Sequence, residues 1–214
     1  MSEMARAAES FGIRCGTCGH ESGRETAQLV VKKYDGDMAN WITRKDGITA
    51  PKEADFQRHK ITPYQTVIAM GNLLTQAGWG RILNLAIASG GTQAWDATHC
   101  RIGVGTGTTA ATTGDVDLAA PSGATGSRFL QLVDALGTTG TGTGTARLSL
   151  VGTFGSANAN FAWQEWCIDQ GGTATATATT SGPVVTPLMN RKVQSLGTKN
   201  TPAVWTATAQ LDFT

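Results

Sequence analysis

Three short stretches set reactive side chains at spacings that could serve a ligand or a reaction. The first is CGTCGH, with Cys15, Cys18 and His20. A C-x-x-C pair presents two thiolates that can share one tetrahedral Zn²⁺, with His20 as a third ligand, but a structural site needs four. The other cysteines and histidines, Cys100, Cys167, His59 and His99, are scattered without a second C-x-x-C or an H-x₃₋₅-H. The chain therefore carries half of a zinc site, and reduced thiols in a glycine turn is the plainer reading. A redox C-x-x-C would open a helix after a strand in a βαβ unit, a pattern missing here. Beyond that zinc half-site no cofactor is expected.

The second stretch is GVGTGT, Gly103 to Thr108. It fits neither G-x-G-x-x-G nor G-x-x-x-x-G-K-[ST], and it has no basic residue to meet a phosphate, so a tight loop after a strand is expected. The third is NFAWQEWCID, residues 160–169, where Glu165 stands among Phe161, Trp163, Trp166 and Cys167. Strict alternation puts Phe161, Trp163, Glu165 and Cys167 on one face and Ala162, Gln164, Trp166 and Ile168 on the other. A strand apolar on both faces belongs in the middle of a layered core. Phe161, Trp163, Glu165, Trp166 and, later in the chain, Trp205 are thus read as core residues. A buried carboxylate must be paired or hydrogen-bonded, and Arg101, Arg128 and Arg191 are the available partners. No serine elbow, H-E-x-x-H or paired-carboxylate spacing occurs, so no catalytic residue is assigned and the protein is expected not to be an enzyme.

These residues need elements to hold them. The 214-residue chain is long enough to bury a core without staples. Only 15% of it is charged, against roughly 25% in an ordinary soluble domain, so its surface is Gly/Thr/Ser polar rather than ionic. The formal net charge of +1 supplies no counterion-release argument for nucleic acid and no polybasic membrane patch. The N-terminus lacks the apolar run of a signal peptide, and no stretch approaches about 18 apolar residues, so synthesis in the cytoplasm and no membrane association are expected.

Residues 1–65 concentrate charge and show little apolar period, which reads as an extended arm carrying one short strand at TAQLVVKKY. Residues 66–214 read as a core domain. TVIAMGNLLTQAGWGRILNLAIAS predicts one or two helical pieces broken at Gly71, Gly78 and Gly80. Strands are expected at Arg101 to Val104, at ARLSLVGTF and, most clearly, at AVWTATAQLDF, where Trp205, Ala207, Ala209, Leu211 and Phe213 share a face. Between them run three Gly/Thr/Ala tracts, 105–126, 137–145 and 171–182, read first as loops that are flexible or ordered by partners, with intrinsic short strands as the alternative because Thr favours extended backbone. The fold class is mainly β: an antiparallel β-sandwich with one or two short helices and an extended N-terminal arm.

Taken in order, GNLLTQAGWGRILNLAIASGGTQAWDATHCRIGVGTGTTA, LVGTFGSANANFAWQEWCID and MNRKVQSLGTKNTPAVWTATAQLDF resemble a family of small tailed-phage virion structural proteins over residues 71–214. The same region is similar, to a lesser degree, to the head-proximal domain of phage tail-collar fibres. Cys167 stands where the family often has glycine. The resemblance implies a bacteriophage virion structural protein present in many copies. A capsid decoration or cement protein is expected first, bound to the assembled head and its major capsid protein through arm and loops, and forming a homo-oligomer. On that reading, deleting residues 1–60 would abolish particle association and leave the core folded. A tail, collar or baseplate adaptor anchoring a fibre is the second expectation, and a carbohydrate-binding module using Trp41, Trp79 or Trp95 as stacking platforms the third.

Overall fold

The computed structural model describes residues 25–71, 73–87, 94–123, 126–140, 146–170, 180–182, 184 and 188–213. In chain order the elements are β1 Glu25–Tyr34, α1 Gly36–Asp46, α2 Glu53–Arg58, β2 Gln65–Met70, β3 Leu73–Leu74, α3 Gln76–Ala86, β4 Cys100–Gly105, β5 Arg128–Leu132, β6 Ala135–Thr139, β7 Ala146–Phe154, β8 Ala162–Gln170, β9 Asn190–Thr198 and β10 Val204–Phe213. Two antiparallel five-stranded sheets form the expected sandwich, one in the order β2-β1-β10-β7-β6 and the other β3-β9-β8-β4-β5. Among the described residues there are three helices rather than one or two. No described helix is long and apolar enough to cross a membrane.

The boundary expected at residue 65 is corrected by β1. This strand lies inside the first sheet, paired along its whole length with β10 and also with β2. Ala27, Leu29 and Val31 point into the inter-sheet core, where Leu29 and Val31 are wholly buried. Lys33 joins them with its ammonium 4.2 Å above the Trp205 ring, donating to the Leu196 carbonyl at 2.8 Å. On the opposite side of the sheet, Tyr34 and Val204 pack with Ala39 and Ile42 of α1 and with Phe56 of α2. Charge was a poor guide here because the lysines and acids of 25–65 coat a buried frame: Lys32 pairs with Glu53, and Arg58 with Asp46 and Asp55.

The helix expectation is also revised. Val67 and Ile68 belong to β2, since β-branched residues suit a pleated surface and β1 offers them a ladder. The helix starts after Thr75, whose hydroxyl accepts from the Gly78 N–H at 2.9 Å and donates to the Leu188 carbonyl at 2.5 Å. It then runs through Gly78 and Gly80 without breaking. Gly78 serves close packing: a Cβ there would lie 2.2 Å from the Met189 carbonyl oxygen.

Trp163, Trp166 and Ile168 of β8 meet Phe154 of β7 and Trp205 of β10 in the main core. Trp163 sets its ring edge-on to both Phe154 and Trp205, with centroids 4.6 and 4.8 Å away. Strict alternation would have placed Trp163 beside Glu165. The ladder slips between them: β9 advances from Gly197 to Val193 while β8 advances only from Trp163 to Glu165. That irregularity turns both tryptophans inward and leaves Glu165 and Cys167 on the outer side.

Just beyond β9, Lys199 is completely buried, donating to the Gly155 carbonyl and to Asn160 Oδ1, both at 2.8 Å. Burial lowers its pKa from 10.5 to about 8. Between those values the unfolded chain binds the proton more tightly than the folded one, so a Lys199 penalty present below pH 8 is relieved as pH rises toward 10. The buried thiols lose stability over the same window, so the lysine is read from the comparison: between pH 7.5 and 10 the denaturation midpoint of the native chain should shift upward relative to that of Lys199→Met. Parallel pH dependence of the two proteins would refute the assignment.

Candidate functional site

The outer face of the second sheet gathers most of the buried charge. Glu165 sits at the centre of β8, fully buried. Its carboxylate accepts from Arg191 Nε at 2.7 Å and from the backbone N–H groups of Ala120, Ala119 and Gly107 at 2.8, 3.1 and 3.2 Å. Arg191, on the neighbouring β9, also donates to Asp115 Oδ2 at 2.8 Å and to the Thr109 carbonyl at 2.7 Å. Of the three arginines proposed from the sequence, Arg191 is therefore the partner of Glu165. Arg101 pairs with Asp169, and Arg128 makes a two-pronged pair with Asp117.

The segment that covers this face is the first Gly/Thr/Ala tract. Gly107 of GVGTGT joins Ala119 and Ala120 in a backbone cradle for an anion, and the anion is the protein's own carboxylate. A Cβ on Gly105 would lie 2.6 Å from Glu165 Oε1, and one on Gly107 2.3 Å from it, so the backbone can close over the carboxylate only where no side chain intervenes. Leu118 packs on Leu130, Cys167 and Leu188 beneath the same segment. Its described part is thus ordered by contacts within the chain, which corrects the expectation of a flexible or partner-ordered loop for 106–123. The sequence carried a signal for this: Asp115 and Asp117 are the acids of a tract otherwise free of charge.

The electrostatics follow from burial. Burial opposes ionisation of Asp115, but the Thr112 N–H and hydroxyl together with Arg191 outweigh it and hold the carboxyl below its usual range. Deeper in, burial pushes the Asp169 carboxyl up, and Arg101 counteracts it. The buried thiols are raised as well, Cys100 to about 12 and Cys167 well above its ordinary value, both chiefly by desolvation, which removes thiolate reactivity near neutral pH. With four donors already on it, Glu165 has no free lone pair facing an open cavity. The arrangement works as a clamp that pins the covering segment to the sheet.

The other sequence-derived candidates are dispersed. Cys15, Cys18 and His20 lie outside the described residues. Cys100 and Cys167 occupy different apolar clusters. His59 contacts Asp46 at 2.6 Å, and His99 contacts Asp96 at 2.7 Å. Among the described residues no three His, Cys, Asp or Glu side chains converge on a metal position. Phe161, Trp163, Trp166 and Trp205 are all core, as read from the sequence. Trp79 and Trp95 are partly buried, while Trp41 is exposed with Lys45 4.5 Å over its ring and His59 against its edge.

The surface offers a second feature that periodicity missed. Ile68 and Met70 project from the outer side of β2, and Tyr64 from just before it, at 52, 61 and 61% exposure. Among the described residues β2 pairs only with β1, so this apolar strip lies along a sheet edge. Compared with known protein families, curated proteins and solved structures, the chain has no significant match.

Proposed function

We propose that the protein is a structural component of a tailed-phage virion, a decoration or cement protein that seats on the assembled head beside the major capsid protein and other copies of itself. The observation that carries this reading on the structural side is the strip of Tyr64, Ile68 and Met70 along the free edge of β2. An exposed apolar edge strand is a liability for a solitary protein and an asset for one that works packed against neighbours. The sequence resemblance supports the same role. Its motifs fall on β4, the Glu165 clamp, β8, β9 and β10, elements that build the sandwich, and this supports a structural role.

Quantitative mass spectrometry of purified particles tests the proposal. A copy number equal to that of the major capsid protein, or a simple fraction of it, is the expected result. A few to a few dozen copies per particle would favour the tail, collar or baseplate adaptor instead, and absence from particles would overturn both. The double variant Ile68→Asp/Met70→Asp should fold with nearly unchanged stability, since surface replacements typically cost within about 0.5 kcal/mol, yet be lost from particles. Full incorporation of that variant would remove β2 from the contact.

A further inference from the structure

A cleft of about 400 Å³ opens where the chain passes from the second sheet to the first. Asn40 and Thr43 of α1 form one wall, Lys52 and the connection before α2 another, and the end of β7 with the turn after it a third. Three side chains from three places along the chain line it together: Gln131 on β5, Asp134 in the link between β5 and β6, and Thr153 on β7. In each a buried polar atom, Gln131 Oε1, Asp134 Oδ2 and Thr153 Oγ1, has no hydrogen-bond partner among the described residues. Buried polar groups are ordinarily satisfied, and leaving one unmade costs about 1–3 kcal/mol. The three residues that carry these atoms line one concave site, which gives the cleft a polar wall with hydrogen-bonding capacity unused by the described residues.

The chemistry of the donors can be narrowed. Asp134 Oδ1 already binds the Lys52 ammonium at 2.8 Å, so the one carboxylate and the one ammonium in the cleft offset each other and a lone cation gains little there. What remains is a neutral set of an amide oxygen, one carboxylate oxygen and hydroxyls, rimmed by the Asn40 amide and the Thr43 hydroxyl. A ligand carrying several hydroxyls, each able to donate and accept, satisfies such a set. The volume lies within the range of about 300–1,000 Å³ typical of small-molecule sites and accommodates one sugar ring. We infer that this cleft binds a neutral saccharide unit, with Gln131, Asp134 and Thr153 as its hydrogen-bonding floor. The inference stands apart from the tryptophan platforms considered from the sequence, because no aromatic side chain lines the cleft. It also does not depend on where in a particle the protein sits.

The test is a titration of the full-length, ¹⁵N-labelled protein followed by NMR, with glucose, galactose, mannose and N-acetylglucosamine each added separately into the millimolar range and methylammonium as the cationic comparator. At least one sugar should produce saturable shifts centred on the Thr43, Gln131 and Thr153 amides. Thr153→Val, which keeps the shape and removes the hydroxyl, and Asp134→Ala should each weaken that binding roughly tenfold, the loss expected for one hydrogen bond of about 1.4 kcal/mol. Their unfolding temperatures check that the fold persists, and should Asp134→Ala fail to fold, Thr153→Val alone decides. Failure of all four sugars to saturate, shifts centred elsewhere, unchanged affinity in Thr153→Val, or saturation by methylammonium alone would each overturn the inference.

Discussion

Replacing Arg191 with leucine should cost about 3–5 kcal/mol of stability, the loss seen when one partner of a buried ion pair is removed and the other charge is stranded. Glu165 has no exposure to water and would keep only its three backbone donors. Asp115 and the Thr109 carbonyl would lose their guanidinium at the same time. A cost of that size is a large share of the roughly 5–15 kcal/mol that holds a typical domain together. Urea denaturation measures the loss, and amide exchange locates it: the Gly107, Ala119 and Ala120 N–H groups should exchange much faster in the variant. Glu165→Gln should loosen the same amides, because it keeps the shape but turns one acceptor into a donor facing other donors. The two substitutions combined should cost less than their sum, as residues that share a network do. Additive losses with unchanged exchange at the three amides would show that the clamp does not hold the segment.

Deleting residues 1–60 should abolish folding altogether. The cut removes β1, which separates β2 from β10 and supplies Leu29 and Val31 to the core, and it takes away α1 and α2 with Ile42 and Phe56. Full burial of each such side chain is worth about 1.5–3 kcal/mol, so the loss of these four alone approaches the whole stability of a domain. Circular dichroism and a thermal scan of the truncated chain should show no cooperative transition. A cooperative melt would mean that β1 is dispensable and that residues 25–60 behave as the arm their charge suggested. The result bears on the functional question, since a truncated protein missing from particles would report only misfolding. The β2 surface variant, whose replaced side chains already face solvent, is the cleaner probe of association.

Much of the architecture could be read from local pattern. Period-2 alternation is written plainly in AVWTATAQLDF, and β10 follows it with Trp205, Ala207, Ala209 and Leu211 inward. The apolar residues on both sides of NFAWQEWCID required a central strand, and β8 has β9 on one side and β4 on the other. The need of a buried glutamate for an arginine was also legible, down to a choice of three, because the cost of an unpaired charge does not depend on topology.

What pattern could not determine depends on which segments meet. Lys32 and Lys33 look like solvent-facing residues until β10 supplies Trp205 beneath one and α2 supplies Glu53 beside the other. The glycines at 105 and 107 look like flexibility until β8 delivers Glu165 against their backbone. Gly78 looks like a helix breaker until the Met189 carbonyl takes the space of its missing side chain. The cleft of Gln131, Asp134 and Thr153 has no sequence motif at all, because its three residues come from different strands and links and converge only where the two sheets exchange a chain. The sequence by itself determined the strands β1, β4, β7, β8 and β10, the two-sided core and the demand for a buried ion pair, since these follow from period, composition and solvation. Only the tertiary structure decided the partners, because contact between residues distant in the chain is set by sheet order and register, which local pattern does not encode.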